Sequence, residues 1–136
     1  MEKITCVVVD DNPRDLAHLV ALIETNSSLQ LKGSFNNPVE AATFILAHQP
    51  ELLFLDIEMP GFTGLEFLKS LPYSPECIFV TAFEEHSVES WEVFAFDFIV
   101  KPLRPDRFNK CVLHLQDYFN TKGKANLYDE IYKQDG

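Results

Sequence analysis

Five residues whose chemistry is complementary stand where apolar runs stop. Ile4 to Val9 (ITCVVV) ends on Asp10-Asp11, Leu52 to Leu55 ends on Asp56, Cys77 to Val80 ends on Thr81, and Phe98 to Val100 ends on Lys101-Pro102. Carboxylates gathered at one sheet edge repel one another, and the arrangement is costly unless a cation sits among them. A hard divalent ion suits such a group. One or two carboxylates, a carbonyl oxygen and several waters favour Mg²⁺ over an all-protein Ca²⁺ cage. One of these carboxylates can then act as a nucleophile towards a phosphoryl group, because an ionised Asp needs no base to activate it. Lys101 would pair with a phosphate oxygen as a point charge, and Thr81 would donate its hydroxyl hydrogen to another. Taken singly, each of these residues has a bland reading as a cap, a turn former or a surface group. Their coincidence at successive strand ends is what argues for a site.

The elements that must position these residues follow from the pattern around them. Leu52 to Leu55 shows no polar alternation, so both of its faces should be covered, as in a parallel sheet between helices. Asn12-Pro13 reads as an N-cap with proline at the first helical position. Leu16, Leu19, Val20 and Ile23 then make one apolar stripe, with Arg14, Asp15 and His18 mostly off it. Leu29 to Phe35 alternates like a half-exposed edge strand. Asn37-Pro38 repeats the cap, and Val39, Ala42, Ile45 and Leu46 give a second helix ending near His48-Gln49-Pro50. Gly64 to Leu71 reads as a short helix, Glu84 to Phe94 as a weaker one with acids early, and Pro105 to Phe119 as the last, with Phe108, Val112, Leu115 and Phe119 on one face. From about Tyr118 the chain turns polar, which reads as a helix end followed by a linker or disordered tail.

The order is βα five times over. Short connections and right-handed crossovers favour an α/β fold with a doubly wound parallel sheet, and with five strands the flavodoxin-like (βα)5 three-layer sandwich of order 2-1-3-4-5 leads. That order sets the first and third strands side by side, so Asp10, Asp11 and Asp56 would converge in one crevice. Thr81 and Lys101 would enter from the next two strand ends.

Composition bounds the function further. The chain has 136 residues, 46% of them hydrophobic, enough for one domain with a substantial core. A formal net charge of -10 argues against this segment itself gripping nucleic acid or an anionic membrane. Cys6, Cys77 and Cys111 form no CxxC pair, so neither a disulfide framework nor a zinc site is indicated. His18, His48, His86 and His114 have no ligand spacing and read as surface or boundary residues. No signal peptide and no membrane-length apolar run is visible, which makes a cytoplasmic location the expectation.

The fragments VVVDDNP, LLFLDIEMPGFTGLEFL, IFVTAF and FDFIVKP resemble the receiver domain of bacterial two-component response regulators, and the resemblance runs from about Ile4 to Phe119. The resemblance implies a receiver over residues 1–120, with the polar stretch 121–136 as a tail or as a linker to an effector domain; without such an effector the domain would work alone through protein contacts. It implies that Asp56 accepts phosphate from a sensor histidine kinase, that Asp10, Asp11, Asp56 and the Glu58 main-chain carbonyl hold Mg²⁺, and that Thr81 and Lys101 engage the phosphoryl group. It further implies a cis peptide before Pro102, a switch made of Thr81 and Phe98, and homodimerisation on activation. Such a domain is a signalling phosphoacceptor, not a turnover enzyme; it catalyses only its own phosphotransfer and slow dephosphorylation. The phrasing DIEMPGFTGLEFL and TAFEEHSVESWEVFAFDFIVKPL is most similar to receivers of LytTR-type transcriptional regulators, in which a separate domain contacts DNA.

Departures from the family pattern fall at Phe98, where Tyr is usual and whose ring lacks a hydroxyl to latch it inward, and at Glu58 and Phe83, positions that tune dephosphorylation. The aromatic series Trp91, Phe94, Phe96 and Phe98 reads either as core packing or as an output face. Two competing functions remain. One is a phosphate-independent interaction domain. The other is a small phosphohydrolase using Asp56 and Glu58 in a DxE arrangement, which the short loops leave no room to cap.

Overall fold

The computed structural model describes residues 3–59, 63–82 and 95–133, with side chains to 122. Five strands, β1 (Ile4–Val9), β2 (Leu29–Phe35), β3 (Leu52–Leu55), β4 (Glu76–Thr81) and β5 (Asp97–Val100), form one sheet. All its pairings are parallel, in the order β2-β1-β3-β4-β5. The helices are α1 (Pro13–Glu24), α2 (Pro38–His48), α3 (Gly64–Lys69) and α4 (Pro105–Lys133). The helix expected over Glu84 to Phe94 lies outside the described residues. The chain divides into two compact units, residues 1–103 and residues 104–136.

Burial explains why the central strands read as unbroken apolar runs. Successive side chains of a strand point to opposite faces. On one face Val7, Val9, Leu53, Leu55, Cys77 and Phe79 pack with Ala41 and Ile45 of α2 and Leu65 and Phe67 of α3. The opposite parity, including Cys6, Val8, Phe54, Ile78 and Val80, is buried as well, as are Leu19 and Ile23 of α1. Both faces are covered, which is the flavodoxin-like three-layer arrangement. The edge strand β2 keeps its alternation, with Leu29 buried and Gln30 and Lys32 exposed.

Capping follows the sequence closely. Asn12 and Asn37 each accept two backbone amides at the starts of α1 and α2 and are followed by proline at the first helical position. Thr63 and Glu66 form a reciprocal capping box at α3.

The second helix ends at His48 as expected; of the apolar residues that mark it, Val39 and Leu46 are 68% and 49% exposed, and its buried positions are Ala41 and Ile45. The helix PVEAATFILAH is apolar nearly all round, so its periodicity did not select a face. The last helix does not close near Phe119 but runs to Lys133. The extension contains no proline, and its single Gly123 costs only about 1 kcal/mol of helix propensity, so polarity alone does not end the helix. Within that unit Phe108, Cys111, Val112 and Leu115 form a buried face at i, i+3, i+4 and i+7, while Phe119 is only half-buried.

One glycine ties the fold to the acid it presents. The Gly64 amide donates to Ile57 O at 2.8 Å, and a Cβ on Gly64 would overlap the main-chain carbonyl of Asp56. At Gly33 the nearest neighbour of an added Cβ is the ring edge of Phe35, which can turn away. Gly64→Ala is therefore expected to destabilise by about 1–3 kcal/mol, the usual cost of overpacking. Gly33→Ala should cost clearly less in urea denaturation of the two variants.

Candidate functional site

Asp10, Asp56 and Lys101 are positioned by backbone bonds that carry the sheet ladder one step past the strand ends. The Asp10 amide donates to Phe35 O (3.0 Å), the Asp56 amide to Val9 O (3.1 Å) and the Lys101 amide to Thr81 O (2.7 Å). The acids and the lysine therefore stand at one edge of the sheet, at the carboxyl ends of its strands, where open α/β sheets place their ligands. The Lys101–Pro102 peptide is cis.

The carboxylates meet as the topology requires. Asp10, Asp11 and Asp56 each offer an oxygen within 4.8 Å of the others. Asp11, Asp15, Asp56, Glu58, Thr81 and Lys101 line an open crevice. Asp10 lies behind it, bordering a smaller cavity with His18, Leu19 and Val80. Turn bonds fix two of the acids: Asp10 Oδ1 accepts from the Asn12 amide at 2.9 Å, and Asp56 Oδ1 from the Glu58 amide at 3.1 Å.

The ammonium group of Lys101 offsets the negative charge at this edge. Lys101 Nζ stands 2.9 Å from Asp10 Oδ2, 2.8 Å from Asp15 Oδ2 and 3.1 Å from Asp56 Oδ2. Burial works against the charged ammonium, but the attraction of Asp15, Asp10 and Asp56 overrides it and lifts the Lys101 pKa above the ordinary lysine value. Burial likewise pushes the Asp10 carboxyl up, against the opposing pull of Lys101 and the Asn12 amide. A cation beside Asp10 offsets the cost of burying its charge.

Thr81 is fully buried, and its hydroxyl oxygen has no hydrogen-bond partner among the described residues. A buried hydroxyl left unpaired costs on the order of 1–3 kcal/mol. An arrangement that keeps it at the head of the crevice is explained by an acceptor that arrives there. Hard carboxylate oxygens gathered within reach of one another are also the donor set that Mg²⁺ prefers. The residues present fit both a divalent ion and a phosphoryl group.

The remaining sequence-derived positions are placed as follows. Phe98 is half-buried beside the α2/α3-side core, and Phe96 is half-buried. Glu58 is exposed at the crevice. Phe83, Trp91 and Phe94 lie outside the described residues, as does His86. His18, His48 and His114 are exposed, and the three cysteines are buried and free. Burial raises the Cys6 thiol to about 12, so it stays protonated. Among the described residues no helix is long and apolar enough to cross a membrane.

Asp15 was missed by sequence reasoning, which placed it on the polar side of α1. The signal available was its place in the first helical turn, four residues after Asp11 and directly beyond the Asn12-Pro13 cap, which turns that part of the helix towards the crevice.

Comparison with known proteins agrees with this geometry. The family model described as response regulator receiver domain matches residues 6–113. An uncharacterized response regulatory protein of Shewanella oneidensis is 36% identical over 111 residues, which cover 80% of this chain and 47% of that protein. The transcriptional regulatory protein BtsR of Escherichia coli is 33% identical over 115 residues, covering 83% of this chain and 48% of that protein. The chain thus spans about half the length of these curated relatives. Among solved structures, the response regulatory domain of protein mrkE from Klebsiella pneumoniae superposes with a TM-score of 0.78 at 28% identity, covering 86% of this chain and 98% of that one. A CheY-like receiver domain from Methanospirillum hungatei shares the fold with a TM-score of 0.76 at 23% identity, covering 90% and 99%. With its sheet order, its acid crevice and this match over most of its length, the chain belongs to the response regulator receiver domain family.

Proposed function

We propose that the chain is a phosphorylation-dependent switch in which Asp56 accepts a phosphoryl group from a sensor histidine kinase. The observation that carries this reading is the Thr81 hydroxyl, which has no hydrogen-bond partner among the described residues and is buried at the same crevice as the Asp56 carboxylate and the Lys101 ammonium. An Asp56 oxygen attacks phosphorus, the bond from phosphorus to the donor nitrogen breaks, and the donor imidazole keeps that electron pair and takes up a proton. Thr81 donates its hydroxyl hydrogen to one phosphoryl oxygen, and Lys101 supplies positive charge to another. Asp10, Asp11, Asp56 and the Glu58 main-chain carbonyl would hold Mg²⁺, whose charge offsets the repulsion between carboxylates and incoming phosphate. Thr81 and Phe98 relay the modification by shifting a pre-existing equilibrium between two conformations.

The wider assignment rests on the relatives. Residues 1–120 act as the receiver, and residues 121–136 link it to an effector domain of the LytTR type. Support comes from the DIEMPGFTGLEFL and TAFEEHSVESWEVFAFDFIVKPL phrasing and from curated relatives about twice as long as this chain, some of them named transcriptional regulators. DNA contact then belongs to the effector, activation proceeds through homodimerisation, and the protein works in the cytoplasm.

Incubation with Mg²⁺ and acetyl phosphate should add one phosphoryl group by intact mass. Asp56→Asn or chelation with EDTA should abolish the adduct. Turnover of the donor beyond one equivalent without an adduct would instead favour a hydrolase, and a folded, Mg²⁺-binding protein with neither would favour a phosphate-independent interaction domain. Thr81→Val separates function from stability. Replacing a buried unpaired hydroxyl by a methyl group should leave stability unchanged or raise it by about 1 kcal/mol. The same change should lower the yield of adduct at a fixed donor concentration, read by urea melts and mass spectrometry on one preparation.

A further inference from the structure

Helix α1 reaches the crevice through a side chain that the acceptor chemistry does not use. Asp15 Oδ2 is 2.8 Å from Lys101 Nζ, so the ammonium meets one carboxylate from α1 and two from strand ends. An ammonium has three N–H donors and no more. All three are engaged here, and a phosphoryl oxygen arriving at Asp56 can gain Lys101 only if one carboxylate gives way. Exposure decides which one. The side chains of Asp10 and Asp56 are 4% and 8% exposed, whereas that of Asp15 is 40% exposed. Water readily resolvates a half-exposed carboxylate, while a buried one left without its cation is strongly disfavoured.

The contact is held by the frame around it. Asn12 accepts the Asp15 amide at 3.2 Å, and Asn12 in turn donates its own amide to Asp10. One turn further along α1, His18 Nε2 lies 2.8 Å from Leu103 O. The helix therefore touches the Lys101-Pro102-Leu103 segment at two points, through a carboxylate and an imidazole on one face.

We propose that Asp15 is a positioning residue for Lys101: it holds the ammonium on the α1 side of the crevice and is the carboxylate that Lys101 exchanges for the phosphoryl group at Asp56. This rests on the acceptor reading of Asp56. Asp15 then opposes phosphoryl capture, because each capture breaks its contact, and it draws Lys101 back when the phosphoryl group leaves.

The test uses beryllofluoride with Mg²⁺ as a stable phosphoryl surrogate, its affinity read from NMR shifts in wild type, Asp15→Asn, Asp15→Glu, Lys101→Met and the double variant Asp15→Asn/Lys101→Met. Asp15→Asn should tighten binding roughly three- to fivefold, the scale of one partly exposed ion pair. Asp15→Glu should return it towards wild type, and in the Lys101→Met background Asp15→Asn should change nothing. Equal tightening without Lys101 would show that Asp15 acts as a bare charge and would overturn the proposal, as would unchanged or weaker binding in Asp15→Asn. Urea denaturation of wild type, Asp15→Asn, Lys101→Met and the double variant gives a reading that needs no phosphoryl surrogate: the two substitutions should be non-additive, and strict additivity would sink the holding role. Should wild type bind no beryllofluoride and form no adduct, the acceptor reading fails and the exchange with it, while the denaturation cycle still decides whether Asp15 holds the ammonium.

Discussion

Carboxylates that crowd one sheet edge must share a cation, and much of this molecule is arranged to satisfy that condition. Asp10, Asp15 and Asp56 come from three different elements and converge on the ammonium of Lys101. Isolated buried carboxylates would protonate or drive the edge apart. The lysine keeps them together, and the backbone bonds from Asp10 to β2, Asp56 to β1 and Lys101 to β4 prevent any of them from retreating. Sheet order matters for the same reason. With β1 beside β3, two strand-end acids become neighbours; in an order that separated these strands the acids would be too far apart to share any cation.

The frame around the acids explains several residues that have no chemistry of their own. Gly64 lets α3 start against the Asp56 carbonyl, so the strand end and the helix start lie closer than a side chain would permit. Asn12 caps α1 and at the same time donates its amide to Asp10. One polar residue thus couples a helix start to a buried acid. The dry interior behind the crevice has a related effect: Phe54, Phe79 and Ile78 are fully buried, and the low dielectric around them strengthens every charge interaction at the strand ends.

What was legible in the sequence was what two-sided burial writes plainly. The runs ITCVVV and LLFL read as covered strands, and their terminal acids mark the sheet edge at which the carboxylates gather. Asn-Pro pairs marked the starts of α1 and α2 because a side-chain acceptor followed by a residue lacking an N–H suits only that position. The inward face of α2 was not legible, since Val39, Ala42, Phe44, Ile45 and Leu46 offer apolar surface in every direction and the sheet alone chooses among them. The end of α4 was not legible either, because polarity is weak evidence against a helix when no proline intervenes. Asp15 escaped for a geometric reason. An acid in a first helical turn is ordinarily explained by the helix dipole, and only the angle at which α1 leaves Asp11 shows that it also reaches Lys101.

The departures from good packing fall together, and this is the strongest physical argument for where the molecule acts. The core is filled by residues with nothing to satisfy, and the capped helix starts leave few orphan amides. Against that background Thr81 keeps a buried hydroxyl without a partner among the described residues, Asp10 is a buried acid whose affinity for a proton is raised, and Lys101 is held among carboxylates at a position burial disfavours. Such a set could be replaced as a whole by well-packed apolar residues at little cost to the fold, although removing one member alone would leave the others uncompensated. All three stand at the same sheet edge, and an incoming anion accompanied by a cation relieves each of them. Sequences that are otherwise locally consistent break their own rules where function requires it, and here the broken rules share one sheet edge.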